Sequence, residues 1–199
     1  MKPILFNTEM VQAILEGRKT VTRRPVKTQP NGEMHRLHAD SCFPGCFAEA
    51  GSGRVYRPPY MAGDALYVRE TWARLDVSPG GNFRPNGVYY YKAGPIMPPE
   101  GALKKWRPSI HMPRDAARIF LRVTMVRAER LRDMVLGDVL MEGIKEAPDY
   151  DETWIRWHNT WNKTIPAADR AVYGREANPW VWVIAFERIS KEEAGLCQT

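Results

Sequence analysis

The chain has no run of about 20 apolar residues, the length a helix needs to cross a bilayer, and its first residues lack the apolar core of a secretory leader. The expectation is therefore a cytoplasmic protein with no membrane partner. Cysteine is scarce. Cys42, Cys46 and Cys197 form an odd set that fits reduced thiols better than a disulfide framework. Four nucleotide and hydrolase signatures are missing: the phosphate loop G-x-x-x-x-G-K-[S/T], the dinucleotide pattern G-x-G-x-x-G, the zinc-protease pattern H-E-x-x-H and the nucleophile elbow G-x-S-x-G. ATP hydrolysis, dinucleotide chemistry and the common hydrolase scaffolds lose support accordingly. No internal repeat is present.

What is there suits a globular fold with a polyanionic partner. The 199 residues are 44% hydrophobic and include seven Trp and eight Tyr, enough to bury a substantial core. At this length one domain over 1–199, interrupted by an insertion, is the expected organisation. Lys and Arg number 29 against 23 Asp and Glu, giving a formal charge of +6 and a pI of about 9.3. A cationic surface concentrates phosphates around itself, so RNA or a nucleoside is the expected partner, with mere solubility as the plainer account of the charge.

Along the chain, Pro3 to Phe6 reads as a strand, and residues 8–16 as a helix capped by Asn7 or Thr8 and ended by Gly17. Residues 18–25 follow as a short strand before Pro25. Strict alternation puts Thr20, Thr22 and Arg24 on one face and Lys19, Val21 and Arg23 on the other. About residues 26–62 no period is sustained, which predicts an irregular surface insertion. Strands are expected at 65–73, 87–93, 117–131 and 180–189, and helices at 133–144 and 151–163. The order predicts an α+β fold whose strands pair into a curled sheet or small barrel.

Four clusters carry candidate chemistry. Arg18 to Arg24 mixes hydroxyls with cations, a combination suited to holding phosphate or activating a hydroxyl, although charge on an exposed strand edge also serves to block edge pairing. In the strand around 68–72, Glu70 is either paired with an arginine or buried as an acid/base group, and Trp72 is either core or a platform for a stacked base. The stretch from Trp106 to Arg114, stiffened by Pro108 and Pro113, offers Trp106, Ser109, His111 and Arg114 as pocket walls. Finally, His35, His38, Cys42 and Cys46 present nitrogen and sulfur donors within twelve residues. They make a weak zinc candidate, because structural zinc sites join two separated ligand pairs, and solvated imidazoles and free thiols are the alternative.

The Gly17-Arg18-Lys19-Thr20-Val21-Thr22-Arg23-Arg24 element, Gly63-Asp64 leading into a strand, Met141-Glu142-Gly143-Ile144 and the final strand from Trp180 together resemble the ASCH domain family. Val68 to Trp72, Ile110 to Arg114 and Asn178-Pro179-Trp180 resemble its longer members, often encoded in prophages. The resemblance covers most of the chain outside the insertion. It implies a PUA-like mixed β-barrel flanked by helices, with a cleft that binds RNA or modified nucleosides and no cofactor. Some small relatives are amidohydrolases acting on N4-acetylcytidine and others are ribonucleases. Their Lys, Thr and Glu set falls on Lys19, Thr22 and Glu142, with Thr20, Arg23, Arg24, Glu70, Trp72, Trp106, Ser109, His111 and Arg114 left to bind substrate. In that scheme Lys19, its pKa lowered by burial and by the neighbouring arginines, takes the proton of Thr22, and Thr22 attacks the amide carbonyl. Glu142 serves the leaving nitrogen or fixes Lys19, with Glu70 as reserve carboxylate. The non-catalytic alternatives are an RNA-binding module built from the same cations, and a purely protein-binding role.

Overall fold

A computed structural model describes residues 1–195, apart from the side chain of Asn86. Cys197 lies outside the described residues. The elements run β1 (Lys2–Leu5), α1 (Thr8–Leu15), β2 (Val21–Pro25), β3 (Met34–Arg36), β4 (Phe47–Glu49), β5 (Val55–Tyr56), β6 (Ala65–Arg69), β7 (Trp72–Val77), β8 (Phe83–Tyr91), β9 (Phe120–Arg130), α2 (Leu136–Met141), α3 (Tyr150–Thr164), α4 (Arg170–Tyr173) and β10 (Trp180–Ile189). This is an α+β chain. No described helix is long and apolar enough to cross a membrane.

The largest sheet has the hydrogen-bonded order β1-β6-β9-β10-β2. β1 and β2 are its two ends, so among the described residues the sheet is open and does not close into the barrel expected from the sequence. β3-β4-β5 and β7-β8 form two smaller sheets. Two compact units divide the chain: Met1–Gly17, Ala65–Arg122 and Arg188–Thr199 make one, and Arg18–Asp64 with Val123–Glu187 the other.

In the first unit, β1 runs parallel to β6 with Ile4 opposite Val68, and β6 pairs antiparallel with the start of β9, Leu66 opposite Leu121. α1 begins where Asn7 accepts a hydrogen bond from the Met10 amide at 2.8 Å. It ends at Gly17, whose φ of +77° needs a residue without a Cβ. The buried stripe Val11, Ala13 and Ile14 is the face that the helical spacing predicts.

In the second unit, β10 pairs antiparallel with β2, Ile184 opposite Thr22 and Val183 opposite Arg23. Val181, Val183 and Ile184 are buried, as are Trp157 and Trp161 on α3, whose rings stack at 6.1 Å. Asp149 caps α3 by accepting from the Asp151 amide. The insertion departs from expectation, since residues 26–62 hold the whole β3-β4-β5 sheet. These strands are only two or three residues long, too short for a period to register.

Backbone crowding fixes how this insertion closes. A Cβ on Gly32 would stand 2.7 Å from the carbonyl oxygen of Ala50, a fixed backbone atom. Gly32→Ala should therefore destabilise the chain by about 1–3 kcal/mol, the range for forcing atoms into a filled space. Gly51, where a Cβ meets nothing, carries a positive φ and is no control, so Gly137→Ala, with open space and ordinary φ, is the reference in urea denaturation.

Candidate functional site

The second unit contains a buried charge network built on the strand that follows Gly17. Lys19 sits in an isolated antiparallel bridge with Glu142. Its ammonium donates to Glu142 Oε2 at 2.6 Å, to the Glu142 carbonyl at 2.8 Å and to the Val21 carbonyl at 2.8 Å. Glu142 is the C-terminal cap of α2, where a cation is favoured by the exposed carbonyls of the helix end. Gly143 follows at φ +87°, and its carbonyl accepts from Arg18 Nη1.

Arg23, four residues on and therefore on the Lys19 face, reaches the same carboxylate. Its Nη1 lies 3.3 Å from Glu142 Oε1, and its Nε donates to Glu129 Oε1 at 2.8 Å. Nη2 is 2.8 Å from Glu129 Oε1 and 3.0 Å from Asp138 Oδ1, proximity contacts rather than aligned hydrogen bonds. Arg127 closes the ring from the edge, 2.9 Å from Glu129 and 3.3 Å from Asp138. Three cations thus face three carboxylates, which is how so much charge stays buried.

The electrostatics follow from this packing. Burial, the largest influence, pulls the Lys19 ammonium below its ordinary value against the opposing pull of Glu142. For Arg23 burial acts in the same direction, but Glu142, Glu129 and Asp138 together outweigh it and hold the guanidinium above its usual range. Burial would raise the Asp138 carboxyl, yet the Val135 amide, Arg23 and Arg127 hold it below the ordinary carboxylate range.

Thr22 points away from this network. It is 1% exposed, and its Oγ1 accepts from Arg24 Nη1 at 3.0 Å. The alternation read from the sequence thus separates Thr22 and Arg24 from Lys19 and Arg23. Thr20 is exposed and binds only through its backbone among the bonds described, donating to Met141 and accepting from Phe186.

On the Arg24 side lies a cleft of about 660 Å³. Four cations, Arg24, Lys27, Arg54 and Arg57, line it together with Tyr56, Tyr60, Tyr173 and Trp182, and among the described residues no acidic one does. Tyr60 and Tyr173 are half-buried, whereas Tyr56 and Trp182 are buried behind them, Trp182 against Phe47 at 5.2 Å between ring centres. The wall carrying Arg54, Tyr56 and Arg57 is held by Glu49. One oxygen of Glu49 accepts from the amides of Asn31 and Gly32 at 2.6 and 2.8 Å, and the other from the hydroxyls of Ser52 and Tyr56 at 2.8 and 3.1 Å. These donors, the Gly32 amide foremost, pull the Glu49 carboxyl down to about 2.

The remaining candidates for substrate binding belong to the first unit, and the four zinc candidates to the second. Glu70 is buried and clasped by Arg118 through two bonds of 2.8 and 2.9 Å, so the paired alternative holds. Trp72 is 4% exposed and packs with Met112 and Ala116; its ring is core and offers no free platform. Trp106 and Ser109 are half-buried, and His111 and Arg114 exposed. The zinc suggestion is corrected: among the described residues no three His, Cys, Asp or Glu side chains gather as a metal set, so His35, His38, Cys42 and Cys46 are not brought together. Cys42 is exposed and Cys46 buried.

Two outcomes check this geometry. Arg23→Leu removes the buried cation that three carboxylates share, leaving Lys19 and Arg127 to face them, and should cost about 3–5 kcal/mol of unfolding free energy in urea, the range for removing one partner of a buried pair. For Glu49, a carboxyl at about 2 when folded and at the ordinary 4.5 when unfolded means that the unfolded chain takes up the proton first. Its stabilisation is complete above pH 4.5 and is lost as pH falls from there toward 2. Glu49→Gln should flatten the acid limb of the stability-against-pH curve followed by circular dichroism.

No family model matches the chain, and neither a curated protein nor a solved structure does.

Proposed function

We propose that this protein binds RNA or a nucleoside phosphate in the cleft beside Arg24. The observation that carries the reading is the lining itself: four cations with aromatic rings and no carboxylate. Cations neutralise phosphates, and tyrosine faces stack on any base, the combination by which single-stranded nucleic acid is held without reading its sequence. The resemblance to the ASCH family, carried by Gly17 to Arg24 and by Met141 to Ile144, favours the same ligand class, and membership of that PUA-like group is part of the proposal. No cofactor enters it.

A second reading, hydrolysis of an N4-acetylcytidine-type amide or of RNA, draws on one contact, the 2.6 Å pair between Lys19 and Glu142 beside a buried threonine. It asks a substrate to reach side chains of residues only 3% and 1% exposed, Lys19 and Thr22, which lie on opposite faces of their strand. Binding is accordingly the reading preferred.

Fluorescence anisotropy with a labelled mononucleotide and a short RNA tests it. Both should bind, more weakly as salt rises, and Tyr60→Ala should lower affinity about tenfold, within the range for losing one stacked base. Absence of binding by both ligands, or indifference to Tyr60→Ala and Arg57→Ala, would sink the cleft assignment. Turnover of N4-acetylcytidine that disappears in Lys19→Ala and Thr22→Ala would instead establish the hydrolase.

A further inference from the structure

The positive excess of this chain is concentrated in one stretch. Residues 65–122 contain ten Arg and Lys against four Asp and Glu, a net +6, equal to the formal charge of all 199 residues. Elsewhere the remaining 19 basic and 19 acidic residues cancel. Of the four acids, Glu70 is occupied by Arg118, and Asp115 accepts from the Tyr89 hydroxyl at 2.7 Å. The stretch carries six more cations than carboxylates, and it lies outside the cleft lining.

The β7–β8 ribbon organises part of it. Arg74 pairs with Tyr89 and Trp72 with Tyr91 across the ribbon, which places all four side chains on one face. On that face the Arg107 guanidinium lies over Trp72 at 5.1 Å, the Trp72 and Tyr89 rings are 5.8 Å apart, and Arg74 lies over Tyr89 at 6.0 Å. The result is an aromatic pair bracketed by two arginines. Gly87 leaves the room for it, since a Cβ there would come within 2.5 Å of Arg74 Nε. Two backbone bonds between Trp72 and Arg107, 3.2 and 2.8 Å, hold the second arginine in place. Both arginines are exposed, and Lys104 and Lys105 next to Arg107 are exposed as well.

A guanidinium over a ring face is restrained there, and the planar fork of arginine matches phosphate oxygens with two parallel bonds. Arginines fixed in this way lose little freedom on binding. We infer that the β7–β8 ribbon is a docking surface for the phosphodiester backbone of a nucleic acid, with Arg74 and Arg107 as its phosphate grips and Lys104 and Lys105 as supporting charge. The cleft of the other unit takes a base and its phosphate; the ribbon takes backbone without regard to sequence.

The test uses the full chain and labelled 20-nucleotide single-stranded RNAs of two unrelated sequences, with affinity measured against KCl concentration. Arg74→Ala with Arg107→Ala should weaken both RNAs about equally, by about tenfold. It should also reduce the slope of log K against log salt by about 1.4, because each phosphate contact to a single strand contributes about 0.7. Mononucleotide binding, which reads the cleft alone, should stay unchanged, whereas Tyr60→Ala should reduce it; a failed cleft and a failed ribbon are thereby told apart. If the double variant loses its thermal transition, Lys104→Ala with Lys105→Ala should give the same uniform loss and flatter slope in a folded chain. Unchanged RNA affinity and slope in a folded variant would overturn the proposal. So would a loss confined to anionic phosphatidylserine vesicles or to a polyglutamate probe, which would assign the surface to a membrane or an acidic protein.

Discussion

The shared carboxylate of Glu142 is the contact on which the second unit depends. Lys19 and Arg23 both converge on it from the strand after Gly17, and it caps the end of α2. Glu129 and Asp138 then complete the shell around Arg23. A buried ion pair gains little over apolar packing, because desolvation offsets most of the attraction, but a half-broken one is severely unfavourable. In the observed register the strand satisfies all six charges at once.

That fixed register has a second effect. With Lys19 and Arg23 directed into the network, Thr22 and Arg24 must face the opposite way, and Arg24 arrives at the cleft edge. The opposite wall is positioned independently by Glu49, whose two oxygens gather four donors from Asn31, Gly32, Ser52 and Tyr56. Both walls are thus held by contacts within the protein, and for the proposed ligand less ordering would remain to oppose binding.

Local signals were readable in the chain; distant assembly was not. The Asn7 cap, the α1 stripe, the α3 tryptophans and the long strands β9 and β10 all announce themselves through residues three or four apart, or by alternation. The same alternation separated Lys19 and Arg23 from Thr22 and Arg24. Glu129, Asp138 and Arg127 gave no warning, because nothing local marks a carboxylate that will meet an arginine about a hundred residues away. The cleft was missed for a different reason. Its basic and aromatic interleaving, Arg54, Tyr56, Arg57 and Tyr60, is present in the sequence, but inside a segment whose strands are too short to show a period. The open sheet order likewise rests on pairings between remote strands, which composition does not encode.

The bridge between Lys19 and Glu142 joins residues 123 positions apart. Closing so large a loop sacrifices chain entropy before any compensating contact forms, so segments with nearby partners, such as α3 and the β7–β8 hairpin, have the shorter search. The polar lock that defines the second unit therefore carries a larger closure cost than the contacts between neighbours in sequence.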